Sequence, residues 1–213
     1  MTANYWDNLM GTDEGAANYM ESYGEGPGSA TRLLVGAFIE EGESVLDVGC
    51  GPGWNLDHFV EYGPIVGKYK GLDYSERFVR VANKRIQEKT GTDKEMFAVG
   101  DVRDIKEADG SWDVVLLQDV LEHTNGYEKP IKEALRVAKK RVIITFWRGS
   151  FMEDNDAQNQ INDDGNDGYG ATYNRKDFEE FLDTLPYFWT ETETEPGANR
   201  WHKLYVIDKE ERA

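Results

Sequence analysis

A glycine-rich stretch, VLDVGCGPGWN over residues 45–55, is the first place where residue types and their spacing indicate chemistry. Gly49, Gly51 and Gly53 stand two positions apart, directly behind an apolar run. Crowded glycines mark a backbone that turns sharply or comes close to another molecule, because glycine has no Cβ and adopts positive φ angles freely. The spacing therefore predicts a loop that approaches a ligand through its backbone.

Polar side chains follow the next three predicted strands along the chain. Asp73 ends the second strand, where a carboxylate can accept hydrogen bonds from the vicinal hydroxyls of a ribose. Asp101, just past the third strand, can accept one from an exocyclic amine such as that of adenine, and Val102 beside it offers an apolar wall. Gln118 and Asp119 close the fourth strand. A few convergent polar groups of this kind are typical of a small-molecule site.

Two other interpretations of these residues stay open. The dinucleotide fingerprint G-x-G-x-x-G needs a glycine where this chain has Trp54, and the third glycine falls one place earlier, at Gly53. This spacing disfavours a nicotinamide-dependent oxidoreductase without excluding it. Asp73 and Asp101 could also serve only as caps of the helices that follow them, which is a common role for a single aspartate.

An alternation of strands and helices positions these residues. Short apolar strands are predicted at about residues 44–48, 69–72, 96–99, 112–117 and 142–146, with amphipathic helices between most of them. Strands that are apolar on both faces belong in a parallel sheet covered by helices on each side, so the predicted class is α/β. Residues 188–193 and 204–207 have no helix between them, which predicts an antiparallel hairpin at the end of the sheet.

Four stretches carry a resemblance to a known family. VLDVGCGPGWN, GLDYS, GDVRDI and WDVVLLQDVLEHT resemble, in order and approximate spacing, the successive motifs of the class I S-adenosylmethionine-dependent methyltransferases. The resemblance covers about residues 45–146 and is closest to the small-molecule branch of methyltransferase-11 and methyltransferase-25 type. It implies a Rossmann-like, doubly wound, seven-stranded and mostly parallel sheet of strand order 3-2-1-4-5-7-6, with strand 7 antiparallel and helices on both faces.

The resemblance also implies which residues bind the cofactor, S-adenosylmethionine, and its product, S-adenosylhomocysteine. The methionine part is expected against Asp47, Gly49, Gly51 and Gly53. The ribose is expected at Asp73 and Tyr74, and the adenine at Asp101 and Val102. Gln118 is expected near the reactive methyl group.

His123 is the candidate catalytic residue. Methyl transfer needs mainly positioning, because the donor is already activated, but a hydroxyl or ammonium acceptor must lose a proton to a base. His123 follows the fourth strand, and an ordinary histidine titrates near neutrality, as a base at this place requires. A histidine that only hydrogen-bonds the neighbouring loop remains the alternative.

Two segments are expected to cover the acceptor. Residues 1–28 mix aromatic, glycine and acidic residues, which predicts a short helix and a lid over the crevice, with Tyr23 contacting the cofactor. Residues 148–173 follow the fifth strand and are expected to form a mobile substrate loop. The acids of this loop do not fit a helix-loop-helix calcium site, because Gly165 and Asn174 fall where ligands are needed. No metal is therefore expected.

Composition bounds the remaining possibilities. A chain of 213 residues with a formal net charge of −17 fits one domain over residues 1–213 and repels nucleic-acid phosphates. Cys50 is the single cysteine, so no disulfide or cysteine-built metal site can form within the chain. Neither a membrane-spanning apolar run nor a secretory leader is evident, so we expect a cytoplasmic protein without a membrane partner, as a monomer or homodimer.

These observations predict an enzyme that transfers a methyl group to oxygen or nitrogen of a small-molecule acceptor. Two alternatives remain, the nicotinamide-dependent oxidoreductase and an S-adenosylmethionine-binding subunit without activity of its own. The second alternative stays open because the resembled family has no single obligatory catalytic residue. The identity of the acceptor does not follow from the fold or from the cofactor motifs.

Overall fold

The structure is a computed structural model, and it describes residues 5–18, 26, 28–146, 151–152, 160–163, 169–193 and 203–211. The helices of these ranges are α1 (Tyr5–Met10), α2 (Asp13–Asn18), α3 (Ala30–Ala37), α4 (Trp54–Tyr62), α5 (Glu76–Thr90), α6 (Glu128–Val137) and α7 (Arg175–Asp183). The strands are β1 (Ser44–Val48), β2 (Lys68–Asp73), β3 (Phe97–Val99), β4 (Trp112–Gln118), β5 (Ala138–Phe146), β6 (Phe151–Met152), β7 (Gln160–Asp163), β8 (Tyr169–Asn174), β9 (Tyr187–Glu193) and β10 (Lys203–Glu211).

The main sheet of the described residues has seven strands in the order β3-β2-β1-β4-β5-β10-β9. β1 runs parallel to β2 and β4, β2 runs parallel to β3, and β4 runs parallel to β5. β10 is antiparallel to both of its neighbours, β5 and β9. Numbered along the chain within this sheet alone, the order is 3-2-1-4-5-7-6 with strand 7 antiparallel. The predicted α/β fold and its terminal hairpin are therefore confirmed.

Hydrophobic side chains cover both faces of this sheet. In β4, Val115 and Leu117 belong to one buried cluster, whereas Val114 and Leu116 belong to a second. Helices α6 and α7 pack into the first cluster, and α3, α4 and α5 pack into the second. Because side chains alternate along a strand, a strand buried on both faces must be apolar throughout. This is why residues 114–117 form a continuous apolar run.

Helix α5 begins directly after its N-cap, Ser75. The Ser75 Oγ accepts a 3.1 Å hydrogen bond from the N–H of Phe78 and donates one to the carboxylate of Asp7 in α1. Asp7 also accepts the N–H of Arg77 at 3.1 Å. A carboxylate at a helix N-terminus is stabilised by the helix dipole. These contacts fix α1 against the start of α5, directly after Asp73.

The N-terminal segment contains two short helices, α1 and α2, where the sequence indicates one short helix and a loop. Both helices pack on α5, because Met10 and Ala16 share a buried cluster with Phe78 and Val81. Apolar burial therefore attaches this segment to the helix that follows β2. The predicted cofactor contact Tyr23 lies outside the described residues.

Strands occupy part of the segment predicted to be a substrate loop. β6, β7 and β8 form a three-stranded sheet in the order β6-β8-β7. The side chain of Tyr173 in β8 is buried, and its hydroxyl lies 2.9 Å from the carbonyl oxygen of Thr124 and 3.0 Å from that of Leu121. Strand pairing and this anchor give regular structure to a segment whose acid-rich and amide-rich composition is typical of a loop.

Candidate active site

A cavity of about 250 Å³ opens at the carboxyl ends of β1, β2, β3 and β4. This is the edge at which a doubly wound sheet binds its ligands. The predicted site residues that line it are Gly49, Gly51, Asp73, Tyr74, Asp101, Val102, Gln118 and His123. Lining residues outside the predicted cofactor-binding and catalytic set include Trp6, Arg32, Asp119 and Glu122.

The loop after β1 places glycine backbone against the cavity. Gly51 has a φ of +52°, and no atom lies within 4 Å of the position that a Cβ would take, so its backbone borders open space. Its N–H donates a 2.8 Å hydrogen bond to Asp73 Oδ2. At Gly49, with a φ of +81°, a Cβ would stand 2.2 Å from Cγ2 of Val120. The loop therefore leaves room for a ligand at one glycine and packs on the segment after β4 at the other.

Asp47 and Gly53 do not line the cavity. The buried carboxylate of Asp47 accepts hydrogen bonds from the Tyr69 hydroxyl at 2.6 Å and from Asn55 Nδ2 at 3.1 Å, and burial raises its pKa. Asn55 does line the cavity, so Asp47 stands one side chain away from it. A Cβ at Gly53 would stand 2.9 Å from Cζ of Phe97, which means that packing requires this glycine. Direct cofactor contacts of these two residues stay a prediction.

Asp73 is held in place by backbone. Its Oδ2 accepts the N–H of Gly51 and its Oδ1 accepts the N–H of Ser75, both at 2.8 Å. Burial raises the pKa of Asp73 to about 6, the charges of Asp47 and Asp7 add to the rise, and the two backbone hydrogen bonds oppose it. Each oxygen still has a lone pair for a ligand hydroxyl. The carboxylate is thus ready to accept two hydroxyl groups.

Asp101 is paired with Arg103, which is not among the predicted site residues. Arg103 Nε and Nη2 donate to its two oxygens at 2.9 and 2.8 Å, and the Arg103 N–H donates to Oδ1 at 2.8 Å. Burial opposes ionisation, but the hydrogen bonds from Arg103 outweigh it and lower the pKa of Asp101. The guanidinium also lies over the Tyr74 ring, 5.9 Å from its centroid. This end of the cavity therefore combines the charged pair of Asp101 and Arg103 with the ring of Tyr74 and the apolar side chain of Val102.

Gln118 lines the cavity with an unsatisfied amide. The residue is 8% exposed, and neither its Oε1 nor its Nε2 has a hydrogen-bond partner in the described part of the chain. A buried polar group without a partner costs about 1–3 kcal/mol. Such an amide is expected where a ligand completes the hydrogen bonding.

Asp119, the next residue, is held in an unusual conformation. Its φ of +54° is the one positive φ among the described non-glycine residues. Its N–H donates to Oγ1 of Thr145 at 3.1 Å, and that hydroxyl donates back to Asp119 Oδ1 at 2.7 Å. Oδ2 is buried and has no partner among the described atoms. Backbone strain beside an unsatisfied carboxylate oxygen is typical of a functional site, and no sequence pattern signals it.

His123 lies in a 3₁₀ helix, Leu121–His123, directly after β4. Its ring packs edge-to-face with the indole of Trp6, with the ring centroids 4.6 Å apart. Trp6 also lies 6.4 Å from the ring of Phe78 in α5. Helix α1 therefore brings an aromatic wall to the candidate base, which supports the predicted covering role of the N-terminal segment.

Arg32 places a positive charge in the cavity wall. The residue is 4% exposed, and Nη1 donates to Ser29 Oγ at 3.2 Å and to the carbonyl of Gly26 at 3.3 Å. Its charge lowers the pKa of Asp47 against the larger effect of burial. A buried arginine of this kind can bind a carboxylate group of a ligand. The signal in the sequence is a charged residue inside the helical segment TRLLVGA.

The methyltransferase-domain family matches residues 46–146 of the chain. These residues carry the loop after β1 and the polar ends of β2, β3 and β4. This match falls on the part of the chain that resembles the class I S-adenosylmethionine-dependent methyltransferases. The resemblance noted in the sequence is thereby confirmed.

Named relatives are similar to the central part of the chain. A demethylmenaquinone methyltransferase of Lactococcus lactis is 36% identical over 99 residues, which are 46% of this chain and 38% of that protein. An ajmaline N-methyltransferase of Rauvolfia serpentina is 36% identical over 101 residues, which are 47% of this chain and 34% of that protein. The chain thus spans little more than a third of the length of these curated relatives.

Solved structures share the methyltransferase fold. A putative methyltransferase of Haloferax volcanii, in complex with the Trm112 methyltransferase activator, has a TM-score of 0.70 and 20% identity, covering 98% of this chain and 99% of that one. Magnesium protoporphyrin IX methyltransferase of Synechocystis, with bound S-adenosylmethionine, has a TM-score of 0.58 and 19% identity, covering 90% and 78%. At these identities the likeness shows the fold alone.

The cavity fits S-adenosylmethionine, the cofactor of the matched family, on two observations. The backbone of Gly51 borders open space, and the buried amide of Gln118 has no partner among the described atoms.

Within the described ranges, no helix is long and apolar enough to cross a bilayer. The same ranges contain no group of three or more His, Cys, Asp and Glu side chains suited to hold a metal ion.

Proposed function

We propose that this protein transfers the methyl group of S-adenosylmethionine to an oxygen or nitrogen atom of a small-molecule acceptor. The observation that carries the proposal is one cavity lined by the carboxylate of Asp73 and by the unpartnered amide of Gln118. The first matches the ribose of the cofactor, and the second lies at the end of β4, beside the candidate base. Demethylmenaquinone and ajmaline methyltransferases among the relatives support a small-molecule acceptor.

The cavity wall carries a suitable side chain for each part of the cofactor. Asp73, whose position is fixed by two backbone N–H groups, would accept the ribose hydroxyls. Tyr74 and Val102 would hold the adenine, and Asp101, which is paired with Arg103, would accept its amine. The buried guanidinium of Arg32 would bind the methionine carboxylate.

The bound cofactor supplies an activated methyl group, so the protein contributes mainly alignment, the exclusion of water and the movement of a proton. Trp6 and Phe78 shield the cavity on the side of α1 and α5. His123 accepts the proton that the acceptor atom releases. The 148–173 segment reaches this end of the site through Tyr173, which anchors to the loop containing Thr124.

Titration calorimetry tests the proposal directly. The purified protein is titrated with S-adenosylmethionine, S-adenosylhomocysteine and NAD, and the series is repeated on Asp73→Ala. We expect the two sulfur compounds to bind and the substitution to abolish their binding. Binding of NAD alone would mean that the protein is a nicotinamide-dependent oxidoreductase.

A panel of small-molecule acceptors then separates an enzyme from a binding subunit. Release of S-adenosylhomocysteine with at least one hydroxyl or amine acceptor supports the enzyme. Cofactor binding without turnover on any acceptor favours the inactive subunit. The Haloferax neighbour was solved with a methyltransferase activator. If no acceptor is methylated, the assay is therefore repeated with a partner protein that co-purifies with this chain.

A further inference from the structure

Two carboxylates and an imidazole line the end of the cavity after β4. Asp119, Glu122 and His123 all belong to the wall, and Glu122 is buried. Buried carboxylates are destabilising unless hydrogen-bond donors or a positive charge compensate them. Oδ2 of Asp119 is buried and has no partner among the described atoms, so a ligand at this end has to bring a hydrogen-bond donor or a positive charge to it.

The carboxylate of Asp119 is fixed for such a ligand. Thr145 holds its backbone N–H and its Oδ1, and Thr145 itself is fully buried. Oδ2 is the oxygen left without a partner among the described atoms. An oxygen fixed in this way accepts a hydrogen bond without losing side-chain entropy, because the side chain is already ordered.

A second and independent observation indicates a ligand at this end. Gln118, which precedes Asp119, is more than nine-tenths buried and has both amide atoms unpartnered in the described part of the chain. An amide oxygen accepts from N–H groups in the same way as a carboxylate does. Trp6 and Phe78 add aromatic rings to the same wall, and such rings attract alkylammonium groups.

We propose that the acceptor is a primary or secondary amine whose alkylammonium group binds to Asp119 Oδ2 beside Trp6. The inference rests on the proposed function and specifies its substrate class. An amine supplies both an N–H donor and a positive charge to the unpartnered Oδ2 of Asp119. An alcohol supplies one donor and no charge, and a carboxylate acceptor is repelled by Asp119 and Glu122.

The reaction balances without another reactant. The bound ammonium first gives one proton to His123, which passes it to solvent. The nitrogen lone pair then forms the bond to the methyl carbon while the carbon–sulfur bond breaks, and the electron pair of that bond goes to sulfur. The products are S-adenosylhomocysteine and a methylated ammonium group.

The first test measures binding to protein saturated with S-adenosylhomocysteine, with benzylamine, benzyl alcohol and benzoate as probes. The three compounds share one ring and differ in the group that would meet Asp119. We expect calorimetry to show benzylamine binding at least about tenfold more tightly than the alcohol, because hydrogen bonds between charged groups exceed neutral ones by this much. Equal or tighter binding of benzyl alcohol or benzoate overturns the proposal.

Asp119→Asn is the decisive variant, because asparagine tolerates the same positive φ and keeps the shape of the side chain. We expect its affinity for benzylamine to fall at least about tenfold, while its Kd for S-adenosylhomocysteine stays unchanged. Asp93→Asn makes the same change of charge at an exposed position after α5 and should change neither affinity. If Asp119→Asn weakens S-adenosylhomocysteine as much as benzylamine, the carboxylate serves the cofactor and the proposal is wrong.

Thr145→Val keeps the proposal testable if Asp119→Asn does not fold. Valine has nearly the shape of threonine but lacks the hydroxyl that holds Asp119 Oδ1. We expect a smaller loss of benzylamine affinity in the same direction, again without a change for S-adenosylhomocysteine. An unchanged benzylamine affinity contradicts the role of the fixed carboxylate. A wild-type protein that does not bind S-adenosylhomocysteine contradicts the proposed function itself, whatever the acceptor.

Discussion

The two ends of the cavity differ in how their polar groups are satisfied. After β2 and β3, the carboxylates have protein partners, since Asp73 accepts two backbone N–H groups and Asp101 is held by Arg103. After β4, the amide of Gln118 and the Oδ2 of Asp119 have no partner in the described residues. One end is therefore complete before a ligand arrives, and the other is completed by the ligand.

This difference indicates that cofactor binding and acceptor selection belong to different ends of the cavity. A carboxylate fixed by backbone binds a ribose without reorganisation, so the β2 and β3 end is suited to hold a cofactor tightly. Unpaired groups destabilise the free protein and are stabilised only by the correct partner, so the β4 end is suited to select an acceptor. Substitutions at the two ends should therefore separate turnover from cofactor affinity.

The largest effect is expected for His123→Ala, at the β4 end. Loss of a general base lowers turnover by about 10²–10⁴-fold, measured as release of S-adenosylhomocysteine with a productive acceptor. Calorimetry should show an unchanged Kd for S-adenosylhomocysteine. His123→Phe is the matched variant, because an aromatic ring can keep the contact with Trp6 but has no nitrogen to accept the proton. Unchanged turnover in both variants would show that His123 is not the base.

Asp73→Asn is the next largest, and it acts at the other end. We expect the affinity for S-adenosylhomocysteine to fall about 10–100-fold, the worth of hydrogen bonds to a charged carboxylate. Asp113→Asn is the control, because Asp113 also accepts a backbone N–H and a hydroxyl, both from Ser44, but lies outside the cavity wall. Both variants should lower Tm, and only Asp73→Asn should lower affinity. An equal loss of affinity in both would assign the effect to stability.

The sequence predicts the features of this site that follow from local patterns, and it does not predict those that depend on contacts between distant residues. The apolar run of β4 and the glycines at 49 and 51 follow local rules, and they gave the sheet and the loop. The φ of Asp119 depends on Thr145, which is distant in the chain, so no local pattern contains it. The contact of Trp6 with His123 arises in the same way, from α1 packing on α5. The cofactor end could be predicted because its residues directly follow strands of the sheet. The acceptor end could not, because contacts between residues distant in the chain form it.

The pH dependence of cofactor binding gives a third, smaller effect. Burial raises the pKa of Asp73 from 3.8 to about 6, and ribose hydroxyls bind the ionised carboxylate. The affinity for S-adenosylhomocysteine should therefore be constant above about pH 7 and fall by up to about tenfold per unit below about pH 6. Calorimetry across this range measures it, and Asp73→Asn should abolish the dependence. A flat profile in the wild-type protein would show that the carboxylate does not hold the ribose.

The same shift has a consequence for folding with the opposite sign. Because the folded state holds the Asp73 proton more tightly than the unfolded state does, the contribution of this group to the free energy of unfolding falls as pH rises from about 4 to about 6. Over that interval the protein gains cofactor affinity while this group loses stability. Thermal melts of the free and S-adenosylhomocysteine-bound protein should therefore separate further as pH rises.

The smallest effect is expected for Gln118→Met, and it tests the comparison most directly. Methionine is close to glutamine in shape but has no amide to leave unsatisfied, so the free protein should gain about 1 kcal/mol of stability. The same variant should bind its ligands several-fold more weakly, because the amide is then missing from the complex. Gln87→Met, at an exposed position of α5, is the control and should change neither quantity. A lower Tm for Gln118→Met would mean that the free protein already satisfies this amide, and the distinction between the two ends of the cavity would fail there.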